Sequence, residues 1–76
     1  MGRVPIPKPS FLDGCTYLGY REGNRVWRGA DGSLYTWDEL HGEIEEFNRF
    51  GRHIAVLNPT TGRRIKPGRK GRRIRV

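Results

Sequence analysis

Hydrophobic and polar positions alternate in short runs along most of this chain, and turn-forming residues separate the runs. Tyr17-Leu18-Gly19-Tyr20-Arg21 is followed by Glu22-Gly23-Asn24 and then by Arg25-Val26-Trp27-Arg28. Ala30-Asp31-Gly32 leads into Ser33-Leu34-Tyr35-Thr36-Trp37. Further on, His53-Ile54-Ala55-Val56-Leu57 meets Asn58-Pro59-Thr60-Thr61-Gly62 and then Arg63-Arg64-Ile65. Such runs, bounded by Gly, Asn, Asp and Pro, predict short strands joined as hairpins. Arg72-Arg73-Ile74-Arg75 supplies a last short strand. Residues 1–15 read differently. Their Val4-Pro5-Ile6-Pro7-Lys8-Pro9 favours an extended lead-in, either wrapping the domain or linking it, with one domain over 16–76.

The segment from Asp38 to Phe50 is ambiguous by pattern. Asp38 is a competent helix cap, and glutamate has good helix propensity. Gly42, Ile44 and the lack of an apolar stripe at helical spacing point to a strand over 41–49 instead. On that strand His41, Glu43, Glu45 and Phe47 share one face, with Gly42, Ile44 and Glu46 on the other. The expected fold is therefore mainly β: a small, highly twisted antiparallel sheet with an extended Pro/Gly-rich N-terminal segment, one sheet face largely polar.

Composition narrows the class. Seventy-six residues make one small domain with a thin core. At 34% hydrophobic and 11% aromatic the chain is lean, yet too aromatic for a disordered tail. No apolar run approaches the ~20 residues of a membrane span, and no signal-like start is visible. A single cysteine, Cys15, excludes an internal disulfide framework and a multi-cysteine zinc site.

Charge changes the picture further. Fifteen Lys+Arg against eight Asp+Glu leave a formal charge of +7, which suits a polyanionic partner. The charge is segregated. Asp38, Glu39, Glu43, Glu45 and Glu46 fall together in mid-chain, whereas Arg63, Arg64, Lys66, Arg69, Lys70, Arg72, Arg73 and Arg75 crowd the end without one acid. A basic block alone reads as a solvated or nucleic-acid-binding tail. Carboxylates weaken phosphate binding, so the acidic cluster either neutralises that tail or does chemistry.

Asp38, His41 and Glu45 place two carboxylates around an imidazole. Cleaving RNA by transphosphorylation needs a base for the 2′-hydroxyl proton, an acid for the leaving 5′-oxygen, and a cation on the phosphate. Histidine can take either proton role near neutral pH. On a strand His41 and Glu45 would lie roughly 13 Å apart along the backbone, so they meet one phosphate only if the strand bends or the side chains converge. Spacing alone leaves the plainer reading in front: an acidic strand neutralising the basic tail, with an incidental histidine. His41 and His53 with scattered carboxylates also admit a metal-dependent nuclease, although neither HNH-like nor HExxH spacing is present.

Three stretches shift that balance: Trp27-Arg28-Gly29, Leu34-Tyr35-Thr36-Trp37-Asp38-Glu39-Leu40-His41-Gly42-Glu43-Ile44-Glu45, and Asn58-Pro59-Thr60-Thr61-Gly62. Together they resemble the C-terminal cytotoxic domain of the ribosome-inactivating ribonuclease colicins and related contact-dependent inhibition toxins. The resemblance covers about residues 25–76; the first twenty-odd residues match poorly. It implies a twisted antiparallel sheet and metal-independent cleavage of small-subunit ribosomal RNA at the decoding site, with no cofactor. It sets Asp38, His41 and Glu45 on the family's acid/base group and Arg72 on its catalytic arginine, with Arg73 as the alternative in a gapped tail. Tyr35 falls on an active-site tyrosine, and its ring and that of Phe47 are expected to bind RNA by stacking on bases. Phe47 stands where the family has a second tyrosine, which preserves stacking but removes a hydroxyl. Lys66, Arg73 and Arg75 are expected to meet RNA.

Partners follow from the same resemblance and from charge. RNA, most naturally the ribosome, is the expected substrate, and an acidic immunity protein is the expected inhibitor. The chain would then either be the C-terminal domain of a larger delivered toxin, released by its producer and acting in the target-cell cytoplasm, or act where it is made. Two alternatives stay open: a tRNA-cleaving toxin of the same fold, and a non-catalytic RNA- or ribosome-binding module.

Overall fold

The turns set the sheet. Glu22 and Gly23 both take positive φ, 53° and 81°, the backbone of a tight hairpin whose twist suits the flanking strands. They join β1 (Thr16–Arg21) to β2 (Asn24–Arg28). Four more strands follow: β3 (Leu34–Asp38), β4 (Glu43–Phe47), β5 (His53–Leu57) and β6 (Arg64–Pro67). The computed structural model describes residues 2–76. Its six strands form one antiparallel meander in the order β1-β2-β3-β4-β5-β6. The fold is thus mainly β, as the alternation predicts, with a single 3-10 turn, Phe11–Gly14, among the described residues. The extents of 29 × 25 × 24 Å are nearly equal, so the sheet is curled and not flat. No helix among the described residues is long and apolar enough to cross a membrane.

Register divides the side chains between two faces. Trp27 opposes Tyr35, Trp37 opposes Ile44, and Ile44 opposes Leu57. These residues, with Ala55 and Leu12, make the larger apolar cluster. The opposite face carries a rung running from Val26 through Thr36, Glu45 and Val56 to Lys66. A smaller cluster of Val26, Leu34, Phe47 and Ile74 closes one end of that face. The rest of it is polar.

The proline-rich lead-in lies against the sheet. Val4 N–H donates to Glu39 O at 2.8 Å, and Trp37 Nε1 donates to Val4 O at 2.9 Å. Phe11 N–H donates to Pro59 O at 2.8 Å, while Ile6, Phe11 and Cys15 pack on the larger cluster. Gly62, at φ 76°, sits under the Phe11 ring, where a Cβ would collide with it. Without this covering layer one apolar sheet face would stand open to water.

Two expectations need correction. The strand expected over 41–49 spans only Glu43–Phe47. Residues 39–42 form a tight turn, because the Asp38 carboxylate accepts the Leu40 and His41 N–H groups and Gly42 adopts φ 66°. Nor is Arg72–Arg75 a strand: it makes one bridge, Arg52 to Arg73. Gly68 packs against the β5 backbone too closely for any Cβ, and Gly71 at φ 86° turns the chain. Ile74 then enters the smaller cluster, 8% exposed.

Candidate functional site

The end of β3 builds the first half of the site. Asp38 Oδ1 accepts Leu40 N–H at 3.0 Å and His41 N–H at 3.2 Å, leaving Oδ2 to meet His41 Nδ1 at 2.8 Å. Burial by itself would raise the Asp38 carboxyl. The bonds from the His41 ring and from the His41 and Leu40 N–H groups outweigh it, holding Asp38 below its ordinary value. The ring of His41 is therefore fixed through Nδ1, with Nε2 on a side chain that is 67% exposed.

Glu45 forms the second half. It opposes Thr36 across the β3–β4 ladder and is only 7% exposed. Its Oε1 lies 3.4 Å from Arg72 Nε and 3.1 Å from His53 Nε2. Arg72 arrives from the C-terminal segment, whose carbonyl at Arg72 accepts His53 N–H at 3.0 Å. The docked tail thus delivers its guanidinium to the middle of the polar face.

His53 is the residue that the sequence did not single out beyond a weak metal reading. Its Nδ1 accepts Arg69 N–H at 2.8 Å, so the neutral ring carries its proton on Nε2, facing Glu45. The Nε2–Glu45 approach is close but poorly aligned, and Nε2 has no well-formed hydrogen bond among the described residues. Burial pushes His53 below its ordinary 6.5; Glu45 opposes this, and Arg72 and Arg69 add to it. Only the β4–β5 register, with its bulge between Glu46 and Phe47, reveals that His53 reaches Glu45.

Asp38, His41, Glu45 and Arg72 line one cleft of about 730 Å³, with Arg25 and Tyr20 of the first hairpin on its rim. Other expected residues lie elsewhere. Tyr35 is 5% exposed and belongs to the opposite face, edge-on to Phe11 at 5.2 Å. Burial, then the nearby Glu46, raises its hydroxyl pKa. Phe47 is 2% exposed, packed 5.2 Å from the His53 ring, with Arg72 6.0 Å above it. Neither ring is open to stack on a base, which corrects the stacking expected of both. Phe47 instead forms part of the floor beneath His53 and Arg72.

Lys66 sits on the same face as Glu45, two strands over, and pairs with Glu43 at 3.2 Å. Glu46 faces the other way and pairs with Arg64 at 3.3 Å. Arg73 and Arg75 are exposed on the tail, and Arg75 N–H reaches Glu22 Oε1 at 3.4 Å. No group of three or more His, Cys, Asp or Glu side chains is placed to hold a metal among the described residues.

Chemically, the cleft offers an exposed imidazole held by a carboxylate, a second carboxylate at its floor, and an arginine between that carboxylate and solvent. Comparison with known proteins gives one finding: the family model described as Cytotoxic matches residues 18–75. That span includes Asp38, His41, Glu45, His53 and Arg72. No curated protein matches the chain.

Proposed function

The chain belongs to the Cytotoxic family, and from that premise we propose that it is a metal-independent endoribonuclease that cleaves by general acid/base transphosphorylation. Glu45 takes the 2′-hydroxyl proton and His41 protonates the leaving 5′-oxygen, or the two act in the reverse order. Asp38 orients His41 and stabilises its imidazolium. Arg72 meets the phosphate as it gains charge. A phosphate entering the cleft competes with Glu45 for the Arg72 guanidinium and leaves the carboxylate free to accept a proton. The products are a 2′,3′-cyclic phosphate and a 5′-hydroxyl end.

One observation carries this reading: the Asp38–His41 pair at 2.8 Å shares its cleft with the Glu45–Arg72 pair at 3.4 Å. A surface evolved only to bind phosphate gains nothing from carboxylates that line such a cleft. The proposed substrate is small-subunit ribosomal RNA at the decoding site, on the resemblance of the Trp37-Asp38 to Glu45 stretch to ribosome-inactivating colicins. Lys66, Arg73 and Arg75 supply further cationic contacts, and a +7 chain suits an acidic immunity protein. The resemblance also supports delivery as the last domain of a longer toxin, with action in the target-cell cytoplasm.

The test is incubation with ribosomes, and separately with tRNA, in excess EDTA, followed by mapping of RNA ends. Cleavage of ribosomal RNA that disappears in Glu45→Gln and His41→Ala is expected. Cleavage confined to tRNA would move the target and keep the chemistry. Salt-sensitive binding without any cleavage would leave a binding module.

A further inference from the structure

A second hollow of about 520 Å³ adjoins the cleft and shares one wall with it: Arg72 lines both. Around it stand Arg52, Arg69, Lys70 and Arg73, with His53 at its inner edge. None of the residues lining it is acidic. Among the described residues, Arg52, Arg69, Lys70 and Arg73 have no carboxylate within ion-pair distance, whereas Arg64, Lys66 and Arg72 each do. Four exposed cations around one hollow without a counter-charge raise the positive potential there and favour an anion.

These cations are not on a loose tail. Arg69 N–H bonds to His53 Nδ1 at 2.8 Å, Arg72 O accepts His53 N–H at 3.0 Å, and Ile74 N–H donates to Gly51 O at 2.8 Å. Arg52 bridges to Arg73 across the same edge, and Gly68 is pressed on the β5 backbone. The backbone that carries the cations is therefore fixed, so an anion that arrives has side chains to order but no backbone segment.

We propose that this hollow is a phosphate-tracking subsite for the polynucleotide strand that passes through the cleft. Arg52, Arg69 and Lys70 would hold the phosphates flanking the one at Arg72. The inference rests on the ribonuclease reading and adds residues that the acid/base chemistry does not use. Its occupant is the sugar-phosphate backbone of single-stranded RNA. The subsite reads no base, since it presents guanidinium and ammonium groups and no exposed aromatic ring.

The experiment uses the full chain with Arg52→Gln, Arg69→Gln and Lys70→Gln combined. Arg69→Lys with Lys70→Arg serves as a charge-conserving control for folding. Binding of a 2′-O-methyl RNA hexanucleotide, which cannot transphosphorylate, is measured from low to moderate salt. The plot of log affinity against log salt should be shallower in the neutralised variant by about 2, since each lost phosphate contact on a single strand removes roughly 0.7 from the slope. The control should keep the wild-type slope. In parallel, the ratio of kcat/KM for a ribohexanucleotide to that for a dinucleoside phosphate should fall at least tenfold in the neutralised variant. Unchanged slope and ratio overturn the subsite while leaving the nuclease reading intact. A changed slope in a wild type that cleaves nothing keeps the subsite and removes the nuclease. If the slopes agree but the variant loses affinity for an acidic protein inhibitor, the hollow is a protein-docking site and the RNA proposal is wrong.

Discussion

The two faces of this sheet are made by the same strands and have opposite chemistry. One collects Trp27, Tyr35, Trp37, Ile44, Ala55 and Leu57 under a lead-in that supplies Ile6, Phe11 and Leu12. The other places Thr36, Glu45 and Val56 along one rung, with Asp38 and His41 at the edge and Arg72 arriving from the tail. Alternation in a strand lets Trp37 stabilise while its neighbour Asp38 holds a histidine. The closed face gains from burial, about 25 cal/mol for each Å² of apolar surface. The open face sequesters Glu45 and His53, groups that cost stability unless paired. In so small a domain the first offsets the second.

The sharpest way to break this comparison is to remove chemistry without removing packing. Glu45→Gln or His41→Ala should lower cleavage by about 10²–10⁴-fold, the usual worth of a positioned acid or base. His41 is exposed, so its variant should melt close to wild type; a large loss of stability would make it a structural residue. The converse substitution is Trp37→Ala. It empties a 6% exposed site and frees the Val4 carbonyl, and should cost about 3–5 kcal/mol in urea denaturation. A cost below about 1 kcal/mol would mean that the lead-in does not seal that face.

Acid separates the faces more gently. His53 titrates below 6.5 in the folded chain, facing Glu45 on β4 and Arg69 and Arg72 on the tail. Below pH 6.5 the unfolded chain therefore binds a proton that the folded chain resists. Stability should be full above that pH and fall as the pH drops. Asp38 is lowered from 3.8, so its contribution is present above that value and lost as pH falls through the folded value. Urea midpoints from pH 8 to 5 should flatten in His53→Gln, and the limb below pH 4 should flatten in Asp38→Asn. A wild-type midpoint that rises between pH 6.5 and 5 would reverse the sign for His53.

The smallest effect is expected from Tyr35→Phe. The ring lies on the closed face, so kcat/KM should change by less than about twofold, since no contact to the reacting atoms is lost. A tenfold fall would return the tyrosine to the chemistry.

Much of this division was legible in the sequence. Alternation from Leu34 to Trp37 and the turns at Asp31-Gly32 and Asn58-Pro59 marked the strands. The segregation of charge left the acidic cluster's role open until the resemblance pointed to Asp38, His41, Glu45 and Arg72. Parity could have separated Tyr35 from Asp38, since residues three apart on one strand point to opposite faces, but the resemblance set both at the site. What could not be read was non-local. The turn that takes His41 off its strand depends on one carboxylate accepting two N–H groups. The seat of His53 depends on a bulge in β5, where Ile54 is left unpaired opposite Glu46 and Phe47. The docking of the tail depends on Gly68 and on His53 itself, and no local pattern encodes a contact sixteen residues apart between Arg69 N–H and an imidazole.

The central claim is that His41 and Glu45 act on one phosphodiester without a metal. The chemical identity of the ends tests it most directly: ³¹P NMR of products from a single-site RNA, cut by the wild-type chain in excess EDTA. The expected result is a 2′,3′-cyclic phosphate resonance that is absent when His41→Ala and Glu45→Gln are combined. A 5′-phosphate end, or cleavage that survives the double substitution, would contradict it.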